Sequence, residues 1–263
     1  MTESHNEYLN SVDGEQDFVA KRSRWQNGMS QDTELYISAL NFLSKASSHN
    51  FVYQWSWLGV PIIKLPEDIL VIQEFVFEEK PEFIVEIGVA RGGGIKLYSS
   101  LQRLCSMPTK VIGIDIKFFP HTLTALKDEL ESGVILIEGD SISRDVLTKV
   151  ELLLKNASKT FLILDGNHSH KQVLQELNLY GDLLSEGSTI LVADTIAHEI
   201  NISEKKREWN QSNNPKTALD QFLRERKDWT LDLKWSRRAL ISESRDGWIR
   251  KDSSKLMFPY QEA

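Results

Sequence analysis

The sequence predicts an α/β fold: a mostly parallel seven-stranded sheet with helices on both faces and an antiparallel hairpin at its C-terminal end. Three observations carry this. Short runs of Ile, Val, Leu and Phe recur between residues 83 and 193, each followed by a segment with helical apolar spacing. That alternation is what parallel strands and their crossover helices require. The first run leads straight into glycines. The runs also end, one after another, in a carboxylate or a glycine, on the rim where open parallel sheets bind ligands.

The elements follow in order. Residues 1–30 mix Asn, Ser, Asp, Glu and Gly and read as a polar leader, disordered or weakly helical. Residues 31–80 read as a helical extension. Leu35, Ile37, Leu40, Phe42 and Leu43 give one amphipathic helix ending near Ser47-Ser48-His49-Asn50, and these apolar positions are expected to dock on the core or on another subunit of a homo-oligomer. An aromatic stretch follows from Phe51, and Leu65-Pro66-Glu67-Asp68 opens a second helix that Lys80-Pro81 stops. Residues 81–255 form the main domain. Strands are expected at 83–87, 111–115, 134–137, 160–164 and 188–193, with helices at 94–104, 121–131, 142–155 and 168–184. Beyond a polar stretch at 195–215 come a helix at 217–225 and two strands at 229–235 and 239–244, with Arg245-Asp246-Gly247-Trp248 as a turn.

Composition narrows the function classes. The chain has 263 residues and a formal net charge of −7, which argues against a nucleic-acid partner, since phosphate binding needs a basic face. No apolar run approaches the roughly 20 residues that cross a membrane, and the start, Met1-Thr2-Glu3-Ser4-His5, is unlike a secretory signal. A single cysteine, Cys105, excludes an intramolecular disulfide. The expected address is the cytoplasm and the expected partner a small molecule.

The glycine turn is Glu86-Ile87-Gly88-Val89-Ala90-Arg91-Gly92-Gly93. A dinucleotide fingerprint would have a glycine at position 90. An acid two residues before the first glycine, with Ala90 and Arg91 in the turn, resembles instead the first motif of the class I S-adenosylmethionine (SAM) methyltransferases. A Cβ at Gly88 or Gly92 is expected to crowd a ligand lying over the turn.

The other strand ends supply the remaining candidates. Asp115, just over two dozen residues beyond the turn, is placed to accept hydrogen bonds from ribose hydroxyls; a helix cap is its other reading. Gly139, Asp140 and Ser141 would line the adenine end, with Asp140 again a possible cap. Glu86 holds either the turn or the cofactor's amino group. Asp165, His168 and Asp194 form the chemical cluster. Adjacent carboxylates suit a hard cation such as Mg²⁺, and His168 could take a proton from a substrate hydroxyl or cap the helix that follows. His121 and His170 read as surface residues.

Trp57-Leu58-Gly59-Val60-Pro61-Ile62-Ile63-Lys64-Leu65-Pro66-Glu67-Asp68, the glycine turn, Val111-Ile112-Gly113-Ile114-Asp115, Leu164-Asp165-Gly166-Asn167-His168, Leu191-Val192-Ala193-Asp194 and Asp246-Gly247-Trp248-Ile249 together resemble the cephalosporin hydroxylase family. That resemblance implies a Rossmann-like class I SAM-dependent methyltransferase fold, and relatives that include rhamnosyl O-methyltransferases and a cephamycin biosynthesis protein. It also implies a divalent metal held by an acid at the fourth strand's end and a Glu-Asp pair at the fifth's. Asp165 and Asp194 match two of those positions. Ala193 stands in place of the Glu, and Gln172 where a second His is frequent.

The leading expectation is a SAM-dependent O-methyltransferase acting on a hydroxyl of a sugar or secondary metabolite. Its catalytic residues are His168 and Asp165, its cofactor is SAM, and Mg²⁺ is a further candidate on Asp165 and Asp194. The alternative is a non-catalytic SAM-binding partner in a biosynthetic complex. Acceptor specificity is expected in residues 51–60 and 195–215.

Overall fold

Two strands with no polar face fix the centre of the sheet. β3 (Phe83–Ile87) and β6 (Thr160–Leu164) are buried at every position, which only a strand covered on both faces can be. They pair in parallel, Phe83 opposite Thr160. The computed structural model describes residues 15–200 and 210–253.

Around this pair lie β4 (Lys110–Asp115), β5 (Ile135–Glu138), β7 (Thr189–Val192), β8 (Trp229–Leu231) and β9 (Trp248–Lys251), in the order β5-β4-β3-β6-β7-β9-β8. The first five are parallel. β9 enters antiparallel between β7 and β8, with Ile190 opposite Ile249 and Thr230 opposite Arg250. A short hairpin of β1 (Trp55–Trp57) and β2 (Val60–Ile62) stands apart from the main sheet.

Helices cover both faces. On one lie α3 (Pro66–Glu79) and α4 (Gly93–Leu104), whose Val71, Ile72, Phe75, Ile95 and Tyr98 pack on Ile84, Phe161 and Ile163. Phe161 stacks on Trp248 at 5.3 Å between centroids, and Phe75 lies against both rings. Offset and tilted pairs of this kind add to the burial of the rings themselves. On the other face lie α7 (Arg144–Leu154), α8 (His170–Leu183) and α9 (Pro215–Glu225), where Val146, Leu177, Tyr180 and Phe222 cover Ile112, Leu162 and Ile190.

The expected elements recur with three differences. Residues 121–131 form two helices, α5 (Pro120–Ala125) and α6 (Lys127–Glu131), broken at the fully buried Leu126. β8 stops at Leu231, and α10 (Leu233–Ser236) follows, its first turn capped by the Asp232 side chain. The expected strand at 239–244 is a loop, and the turn at Asp246 leads into β9. The apolar start Ala239-Leu240-Ile241 made 239–244 look like a strand. In fact Ser242 and the Glu243 backbone N–H both donate to the buried Asp68 carboxylate, at 2.6 and 2.9 Å, so the segment's hydrogen bonds go to a side chain.

N-terminal to the sheet are α1 (Glu15–Gln31) and α2 (Thr33–Ser47). Asp32 caps α2 by accepting from the Leu35 N–H. Residues 1–14 of the expected leader lie outside the described residues. On α2 only Ala39 and Leu43 are buried, and Leu43 joins Leu65, Ile196 and Ile200 in a small satellite core. Among the described residues no helix is long and apolar enough to cross a membrane.

Candidate active site

β3 delivers Glu86 and Gly88 to the rim before the chain turns into α4. Gly88 has φ +97°, and a Cβ there would stand 2.1 Å from the Asp165 carbonyl oxygen. A Cβ would therefore collide with backbone at the end of β6, a constraint that acts without any ligand, while Gly88 also lines both clefts described below. Gly92 lines neither cleft, and a Cβ there would meet the Leu126 side chain at 3.0 Å. Ala90 holds φ +48°. The Val89 and Ala90 N–H groups donate to Asp115 Oδ2 at 2.9 and 3.0 Å, and the Lys117 N–H reaches Oδ1 at 3.2 Å. Asp115 caps no helix. Its charge fixes the shape of the turn from the neighbouring strand.

Two clefts meet at this turn and share Gly88, Ala90, Asp165 and Gly166. One, of about 500 Å³, runs past Asp115 to Gly139, Asp140 and Ser141. Its far wall is a hydrogen-bonded set. Ser141 Oγ donates to Glu176 Oε1 at 2.6 Å, and Gln172 Nε2 donates to both, at 3.1 and 3.2 Å. Burial raises the Glu176 pKa above the ordinary carboxylate range. Asp140 Oδ1 accepts from the Ile142 N–H at 3.2 Å, while Ser143 is the actual cap of α7.

The second cleft, of about 390 Å³, holds Glu86, Arg91, Asp165, His168 and Asp194. Its floor is charged and buried. Lys64 Nζ donates to Asp165 Oδ2 at 2.6 Å and lies 3.7 Å from Glu86 Oε1. Burial opposes the lysine's charge, yet its acidic neighbours, Asp165 first, outweigh that and hold its pKa above the ordinary value. Glu86 accepts from the Tyr98 hydroxyl at 2.8 Å, and burial pushes its pKa up to about 7. Its other oxygen, Oε2, is buried without a hydrogen-bond partner. Such an acceptor in a cleft wall is what an ammonium-bearing ligand would satisfy.

His168 Nε2 lies 3.4 Å from Asp194 Oδ2. Ser169, not His168, caps α8, and His168 lines the cleft. Of the two histidines expected at the surface, His121 is exposed and meets Arg91 at 2.9 Å, whereas His170 is half-buried and bonded to Thr217 and Gln221 on α9. The cleft's outer wall is apolar, built by Leu43, Phe51, Val52, Ile196 and Ile200. Tyr36 ties α2 to this wall. Its hydroxyl donates to Glu199 at 2.7 Å, and the Arg245 guanidinium lies 3.7 Å from its ring centre. Residues 201–209 of the expected specificity stretch lie outside the described residues.

A family model described as rhamnosyl O-methyltransferase/CmcI matches residues 49–252. The chain belongs to that family. Among family relatives, the rhamnosyl O-methyltransferase of Mycobacterium leprae (strain TN) is 30% identical over 149 residues, covering 56% of this chain and 63% of that protein. The chain thus spans less than two thirds of the curated relatives it matches. An apo structure of CmcI superposes with a TM-score of 0.58 at 21% identity, over 76% of this chain and 77% of that one. A CmcI structure with Mg and SAM gives 0.54 at 20%, with the same coverage. At that identity the likeness is one of fold.

The family resemblance implies a metal on Asp165 and Asp194, and the donor set does not fit one. Asp165 Oδ2 is taken by the Lys64 ammonium. Ala193 is 1% exposed, lines neither cleft and carries no donor. Among the described residues no group of three His, Cys, Asp or Glu side chains could hold a metal ion.

Three residues of the site escaped the sequence reading: Lys64, Asp68 and Glu243. All are buried, and burial pushes both acids upward in pKa. Asp68 had a signal. It shares a helical face with Val71, Ile72, Phe75 and Val76, where a solvated acid has no place. Glu243 had none.

Proposed function

We propose that this protein is a SAM-dependent O-methyltransferase that transfers a methyl group to a hydroxyl of a small molecule. The observation that carries the reading is the junction of the two clefts at the glycine turn. It joins a rim of Asp115, Gly139, Asp140 and Ser141 on one side to His168 on the other, in a chain of this family. Residues 81–255 are the SAM-binding unit, and 31–80 an extension that walls the acceptor end.

Bound SAM supplies a methyl on a sulfonium centre, the electrophile of an in-line displacement. Asp115 accepts from the ribose hydroxyls, and Gly139, Asp140 and Ser141 border the base. The unpartnered Glu86 Oε2 accepts from the amino group. His168 takes the proton of the acceptor hydroxyl, with Asp194 holding the imidazole in place. Leu43, Phe51 and Ile196 exclude water and favour an acceptor with an apolar body, such as a glycosylated metabolite. The name of the Mycobacterium leprae relative supports a sugar hydroxyl. The expected setting is the cytoplasm, without nucleic acid or membrane.

Calorimetry with SAM and turnover on a panel of hydroxylated glycosides test the reading. His168→Asn should lower kcat by about 10²–10⁴-fold and leave SAM affinity unchanged. SAM binding without methylation of any acceptor would favour the non-catalytic partner. No SAM binding would remove the assignment.

A further inference from the structure

We propose that Lys64 is the resident cation of this active site and takes the place of a divalent metal, so that the protein works without one. The inference rests on the methyltransferase reading for what the site does, and on this chain's own residues for how its charge is balanced.

The ammonium is built in. Lys64 leaves the end of β2 between Ile62 and Leu65, which are 1% and 3% exposed, and its own side chain is 4% exposed. One turn further on, Asp68 is bonded to Ser242 and to the Glu243 backbone. The segment that carries Lys64 is therefore clamped on both sides. Nζ meets Asp165 Oδ2 at 2.6 Å with Glu86 beside it. A divalent ion on that same oxygen would bind at about 2.0–2.1 Å, within a few ångströms of a positive charge in a poorly solvated pocket, where repulsion is strong.

The rest of the donor set agrees. Ala193 faces away from the clefts. Its neighbour Asp194, in a left-handed conformation at φ +56°, turns its carboxylate toward His168. Of the two candidate ligands, Asp165 is already paired with Lys64 and Asp194 faces His168, which leaves little free negative charge to repay Mg²⁺ for losing its water. Held by Lys64, the Asp165 carboxylate keeps a fixed position at the cleft floor, the ordering that a metal would give its ligand. Lys64 acts here as a positioning residue, through Asp165.

The test is Mn²⁺ titration of the full chain, followed by paramagnetic resonance, beside SAM calorimetry in chelator and in Mg²⁺. The expected result is no saturable Mn²⁺ binding below millimolar concentration and the same SAM affinity in both media. Lys64→Met should raise Mn²⁺ affinity at least about tenfold, while Lys64→Arg should not. Micromolar Mn²⁺ binding by the wild type, SAM binding that needs Mg²⁺, or equal Mn²⁺ affinity in wild type and Lys64→Met would each overturn the proposal. Should Lys64→Met fail to fold, the wild-type titrations decide alone. Absence of SAM binding in both media would remove the cofactor assignment, and the Mn²⁺ titration would still decide the role of Lys64.

Discussion

Glu86→Gln should change how stability depends on pH. Glu86 is 2% exposed, and burial lifts its pKa from 4.5 to about 7. In the unfolded chain it ionises near the lower value. Between the two the folded state binds more protons, so its contribution is fully present below about pH 4.5 and is lost as pH rises through about 7. At about 1.4 kcal/mol per pKa unit, full ionisation costs about 3.4 kcal/mol, of which about 2.5 falls between about pH 5 and pH 9. Gln cannot ionise, keeps nearly the same shape, and still accepts from the Tyr98 hydroxyl. Asp68 and Glu243 are raised in both proteins and cancel in the difference. Urea unfolding across this range should therefore show Glu86→Gln gaining about 2.5 kcal/mol on wild type as pH rises. A difference that stays flat with pH would refute the claim that burial lifts this carboxyl's pKa.

Gly88→Ala should destabilise by about 3 kcal/mol or more, because its Cβ meets backbone at 2.1 Å and its φ is positive. Gly133→Ala, at φ +101° with nothing within 4 Å, should cost only the backbone strain of about 1–2 kcal/mol; equal melting temperatures for the two variants would disprove the contact argument. Asp115→Ala removes charge-assisted hydrogen bonds of about 1.5–3 kcal/mol, and SAM affinity should fall by roughly one to two orders of magnitude. Unchanged affinity by calorimetry would confine Asp115 to shaping the turn.

The sheet was legible because its strands are covered on both sides. Phe83–Ile87 and Thr160–Leu164 contain little but apolar residues, and their bounds were readable directly. The rim was legible because Asp115, Asp165 and Asp194 follow such runs immediately. What was hidden depends on residues distant in sequence. Nothing near Lys64 announces Asp165, a hundred positions on. Nothing near Ser242 and Glu243 announces Asp68, so a polar loop that satisfies a buried acid looked like a strand. Gly88 was recognised for a ligand alone, while the backbone at the end of an adjacent strand, distant in sequence, constrains it as well.

The insertion of β9 between β7 and β8 sets an order of events during synthesis. β7 and β8 do not pair with each other, so both wait on Trp248–Lys251. While residues up to 247 emerge from the ribosome, β8 has no partner and β7 shows an open edge, the kind of surface that recruits other chains. The same four residues bring Trp248 onto Phe75 and Phe161, so the last strand closes the sheet and one of its faces in a single step. A nascent chain stopped just short of Trp248 would carry nearly every residue of the candidate site and still be unable to finish folding.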